Sequence, residues 1–113
     1  MNKQRGEVAV RLNGHEYTMR PTFEALVEIE ERLGAGLVPI ARRFVDAQFG
    51  VREVSGILAA GIRGGGEKVP ANLGELIVRQ GVLSFSDAIG TFLTGALQGD
   101  SAGKPEAPAG DQK

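Results

Sequence analysis

The chain has 113 residues, a length that favours one domain over two, and its 42% hydrophobic and 24% charged content is that of a globular protein. Lys+Arg 13 against Asp+Glu 14 leave a formal charge of −1, which argues against the positive field that nonspecific nucleic-acid binding draws on. With no cysteine and the single His15, disulfides, thiolate nucleophiles, zinc-thiolate sites, iron-sulfur clusters and imidazole clusters are all excluded.

Glu7 to Leu12 alternates polar and apolar side chains, and His15 to Arg20 does so again after Asn13-Gly14. Asn-Gly suits the two left-handed positions of a type I′ turn, so a β-hairpin is predicted with Leu12 opposite His15, Val10 opposite Tyr17 and Val8 opposite Met19. That register places Val8, Val10, Leu12, Tyr17 and Met19 on one face, which needs a helical layer to cover it. After Pro21, Thr22 caps a first helix beginning at Phe23, with Phe23, Leu26, Val27, Ile29 and Leu33 inward and Gly34 as its stop. A second helix is predicted from Pro39 up to an interruption at Gly50, carrying Ile40, Phe44 and Val45.

A third runs from about Val51 to Ile62 with Val54, Ile57, Leu58 and Ile62 at helical spacing, and Gly64-Gly65-Gly66 reads as a flexible break after it. A fourth spans Pro70 to Gln80, with Leu73, Leu76 and Ile77 inward. Ser84 and Asp87 suggest a capping arrangement for the last helix, in which Phe85, Ala88, Ile89, Phe92, Leu93, Ala96 and Leu97 recur at three- and four-residue steps. From Gly99 no branched aliphatic or aromatic residue remains to offset ordering entropy, so residues 99–113 are expected to be a disordered tail after a single domain over 1–98. The fold class expected is therefore α+β, an N-terminal β-hairpin packed on a mostly helical domain of about five short helices.

Glycine is over-represented, 17 residues against a usual share of roughly 7%, so helices holding Gly56, Gly61, Gly90 and Gly95 must be sustained by packing. The core is small and poor in aromatics, and self-association or a partner is expected. No stretch approaches the ~20 apolar residues of a membrane span, and no secretory leader pattern opens the chain, so a cytoplasmic location is the default expectation.

Chemistry finds little support. The run Gly61 to Lys68 fails as a phosphate loop, because Glu67 separates the last glycine from Lys68, Val69 follows the lysine, and a helix rather than a strand precedes. His15 beside the turn has no triad partners, and Glu24, Glu28, Glu30 and Glu31 fit a solvated helix face. Arg42, Arg43, Arg52 and Arg63 would be the basic grouping of a helix-turn-helix, but the third helix offers few exposed side chains to read bases. No catalytic, cofactor or metal residue is assigned. The apolar stripe of the last helix has two readings, closure of the core or a surface for another polypeptide. On the second, Phe85, Ile89, Phe92, Leu93 and Leu97 are the leading protein-binding candidates, with Phe44 and Phe49 next.

The segments Arg5-Gly6-Glu7-Val8, Asn13-Gly14, Arg20-Pro21-Thr22-Phe23-Glu24-Ala25-Leu26 leading to Glu28-Ile29-Glu30 and Leu33-Gly34, and Leu58-Ala59-Ala60-Gly61-Ile62-Arg63-Gly64-Gly65-Gly66 occur in an order and spacing that resembles a known family. That family is the small gene transfer agent and prophage tail proteins, described as tail assembly chaperones and also labelled tail tube proteins. The resemblance spans about residues 5 to 97. It implies a non-enzymatic chaperone in the bacterial cytoplasm that binds and solubilises the tape measure protein and meets other tail proteins, without cofactor, nucleic acid or membrane. The alternative it implies is a structural component associated with the tail tube and retained in the virion; a small DNA-binding regulator is a third reading.

Overall fold

A computed structural model describes residues 6–99. Strands β1, Val8–Leu12, and β2, His15–Met19, pair antiparallel in the predicted register, Leu12 with His15, Val10 with Tyr17 and Val8 with Met19. The turn has the geometry its dipeptide favours, with φ of 54° at Asn13 and 81° at Gly14. Val8, Val10, Leu12 and Met19 are buried and Tyr17 is partly so, which fixes which face the helices cover.

Five α-helices follow among the described residues: α1 Phe23–Leu33, α2 Leu37–Val45, α3 Val51–Gly64, α4 Leu73–Gln80 and α5 Ser86–Gln98, with a 3-10 turn over Val82–Phe85. The α+β architecture, a hairpin on five helices, is the one expected from the sequence. The hub is α3. Every residue from Gly56 to Ile62 is buried, since α1, α4, α5 and β2 all pack around it. Such all-round burial explains why α3 tolerates small residues over so much of its length: neighbours, not helix propensity, hold it.

Thr22 caps α1 as predicted, its Oγ1 accepting the Ala25 N–H at 3.1 Å, and Gly34 ends the helix in the left-handed conformation. Several boundaries differ from expectation. Helix α2 starts at Leu37, because Pro39 falls within the first turn, where an N–H needs no partner in the helix; the Glu30 carboxylate meanwhile accepts the Leu37 N–H at 2.9 Å. It ends at Val45, before Gly50. Helix α4 starts at Leu73, since residues 70–72 form a turn.

The predicted cap of α5 does not form. Ser84 sits inside the 3-10 turn and donates to the Gly81 carbonyl at 2.7 Å, so its hydroxyl is spent behind the helix it was expected to cap. Of the domain expected over 1–98, residues 1–5 lie outside the described residues, as does the tail expected over 99–113 from residue 100 onward.

Candidate interaction surfaces

Periodicity shows which side chains share a helix face but not what covers it, and here the domain itself supplies the cover. Phe85, Ile89, Phe92 and Leu93 are each at most 1% exposed and lie in the common core with Val8, Ile40, Ile57 and Ile77. These four are thus corrected from surface candidates to core residues: α2, β1 and α3 pack over the stripe that the sequence left open. Leu97, one turn further on, is 44% exposed. Phe44 and Phe49 stack at 4.3 Å between centroids, 11° from parallel, and are partly buried against the core.

Apart from Leu97, the large apolar side chains that face solvent lie outside the set expected there. Phe23, Val45 and Leu83 are more than three-quarters exposed, and Val38, Val51 and Val78 are bare to a lesser degree. Phe23 is expected to face inward, but as the first residue of α1 it points away from the side of the opening turn that packs; Ala25 and Ile29 do the burying instead. Val45 is likewise the last residue of its helix. Both sit at helix ends, where a spacing rule carries least information about burial.

Several of the polar groups are engaged in structure. Glu28 on α1 is paired with Arg63 of α3 and with Arg32, whose Nε lies at 3.0 Å; the hydrogen bond from Arg63, opposed by partial burial and helped by the charges of both arginines, lowers its pKa below the usual carboxylate value. Arg63 is pushed upward by the same bond. Glu67 accepts the Thr18 N–H at 2.8 Å and lies 3.9 Å from His15 Nε2. Glu53 accepts the Gly50 N–H at 2.9 Å in a capping role and pairs with Arg43 at 3.5 Å. Among the described residues, no three His, Cys, Asp or Glu side chains gather as metal ligands would.

The glycine triplet is neither a phosphate loop nor a flexible break. A Cβ on Gly64 would fall 2.3 Å from the Arg20 carbonyl oxygen, and one on Gly65 would fall 2.0 Å from that of Thr18. One turn earlier, Gly61 lies against the Met19 side chain, and its carbonyl accepts the Arg20 N–H at 3.0 Å. Gly61, Gly64 and Gly65 thus form the flat end of α3 on which β2 is seated.

The two edges of the hairpin differ. Along β2, the outward N–H groups of Thr18 and Arg20 are taken by Glu67 and by Gly61. Along β1, the Gln80 side chain donates to the Arg11 carbonyl at 2.8 Å and accepts the Asn13 N–H at 3.2 Å, closing only the end near the turn. Ala9 has no such partner among the described residues. Beside Gly6, Glu7 and Val8 runs a groove of about 610 Å³ whose opposite wall is the Ser86, Gly90, Thr91, Thr94 and Gly95 face of α5.

No single helix among the described residues is long and apolar enough to cross a membrane. A family model described as phage tail tube protein, GTA-gp10, matches residues 5–99. No curated protein and no solved structure matches the chain.

Proposed function

The chain belongs to the phage tail tube protein family of the GTA-gp10 type, and from that membership we propose that it is a structural component associated with the tail tube of a phage-like particle. The observation that carries this reading is the extent of the match, which covers the hairpin and all five helices rather than one motif. The work proposed is protein–protein contact without bond chemistry. In support, the carboxylates of Glu28, Glu30, Glu53 and Glu67 are each spent on holding helices and strands together. The partners are other tail proteins, met in the host cytoplasm during assembly and in the finished particle thereafter.

Quantitative mass spectrometry of purified particles tests this. The expected result is this chain present in many copies, in fixed ratio to the other tail components; its absence from complete tails would overturn the structural role.

A second reading, a chaperone that sheathes the tape measure protein until the tube forms, draws on one observation. Phe23, Val45 and Leu83 stand at 76% exposure or more, apolar anchors of the kind that hold the apolar side of a helix. Co-expression separates the two: a chaperone makes the tape measure protein soluble and co-elutes with it, yet is missing from the mature tail.

A further inference from the structure

We propose that the free edge of β1 is a self-association surface, on which two copies of this chain pair their β1 strands antiparallel about Ala9 and join two hairpins into one four-stranded sheet. The inference starts from hydrogen-bond parity. Thr18 directs its N–H away from β1, to Glu67, so the Thr18–Ala9 pair is one of the non-hydrogen-bonded pairs of the ladder. The N–H and C=O of Ala9 therefore also point outward, away from β2, as does the Arg11 carbonyl that Gln80 reaches. Pairing about Ala9 lets the two Ala9 residues exchange both bonds. It also sets Glu7 opposite Arg11 of the second copy, whose carbonyl keeps a lone pair beyond the one used by Gln80.

The sequence around this point, Glu7-Val8-Ala9-Val10-Arg11, is symmetric in its apolar residues and opposite in charge at its two ends. Within each hairpin Arg11 faces Glu16, at 3.3 Å, and Glu7 pairs with Arg20. A symmetric pairing extends these into rows across four strands, Glu16, Arg11, then the second copy's Glu7 and Arg20, alternating in sign with no like charges adjacent. A two-fold contact requires self-complementarity of this kind. The groove beside Glu7 and Val8, where the second strand would enter, is lined on α5 by Ser86, Asp87, Gly90, Thr91, Thr94, Gly95 and Gln98, most of them small, and only at the turn end does the Gln80 side chain stand in the strand's path. By contrast the outer edge of β2 is occupied at Thr18 by Glu67 and at Arg20 by Gly61 of α3, which restricts the pairing to one edge and to a closed pair.

The proposal stands apart from the tail reading and is tested on the purified full chain by sedimentation equilibrium. The expected mass is twice the 11.9 kDa of the chain at submillimolar concentration. Glu7→Arg and Arg11→Glu each set like charges across the seam, and each alone should weaken pairing by about tenfold or more. An equimolar mixture of the two should pair again, because every facing position is then of opposite sign, a recovery that misfolded variants cannot produce. Ala9→Pro removes the outward N–H without touching the bonds to β2 and should abolish pairing with an unchanged far-ultraviolet dichroism spectrum. A chain that stays at single mass, a proline variant that pairs like the parent, or a mixture that does not recover would each overturn the proposal.

Discussion

Gly65 lies so close to Thr18 that a Cβ placed on it would come within 2.0 Å of the Thr18 carbonyl oxygen. The obstacle is backbone, which cannot rotate aside, and the same strand is held by the Arg20 N–H to Gly61 and the Thr18 N–H to Glu67. Gly65→Ala is expected to lower unfolding free energy by about 3 kcal/mol, the upper end of the usual overpacking cost. Gly61→Ala should cost less, since the nearest atom there is the flexible Cε of Met19. Urea denaturation of the two variants checks the order.

Gly90 gives the opposite expectation. It is inside α5 with nothing within 4 Å of an added Cβ. Gly90→Ala should raise stability by about 0.5–1 kcal/mol through helix propensity alone, seen as a higher melting temperature.

Phe92 and Val45 separate core from surface. Phe92 is fully buried, and Phe92→Ala should cost about 3–5 kcal/mol, enough to unfold much of a domain this small at ordinary temperature. Val45 is 83% exposed, and Val45→Ser should shift the denaturation midpoint by no more than about 0.5 kcal/mol in free energy. Comparable losses from both would contradict the assignment of the last-helix stripe to the core.

Glu28 makes stability depend on acid. Its folded pKa is lowered from 4.5, chiefly by the hydrogen bond from Arg63, so the unfolded chain binds its proton first. The contribution is complete above 4.5 and is lost as pH falls through the lower folded value. Glu28→Gln should therefore reduce stability at neutral pH, by about 1 kcal/mol for a pair this near the surface, and the difference from the parent should vanish in strong acid. A stability profile from pH 7 downward reads both limbs.

The hairpin was legible to the residue because its register is dictated locally, by Asn13-Gly14 and an alternation that leaves one arrangement of Val8, Val10 and Leu12. The cores of α3 and α4 were legible for a similar reason: Val54, Ile57, Leu58 and Ile62, then Leu73, Leu76 and Ile77, repeat where a helix needs them and are buried. What escaped was everything decided between distant segments. Phe85, Ile89, Phe92 and Leu93 form a clear stripe, yet whether it faces solvent depends on β1 and α2, far away in the chain. The glycine triplet signals a helix end, but no local rule says that Thr18 and Arg20 will be pressed against it. Glu67 follows the triplet as an ordinary polar residue, and its role at the edge of β2 exists only once that strand has arrived.

The seat that α3 offers to β2 also governs how the molecule comes apart. A two-stranded ribbon by itself opens easily, but this one has its outer amides at Thr18 and Arg20 tied to Glu67 and Gly61 in the second half of the fold. The Arg20 amide can trade hydrogen for deuterium only when the central helix lets go, whereas the Thr18 amide needs only the Glu67 side chain to swing aside; the N-terminal ribbon and the hub therefore belong to one cooperative unit, and the slowest-exchanging protons should include that of Arg20, at the end of a strand that looks peripheral.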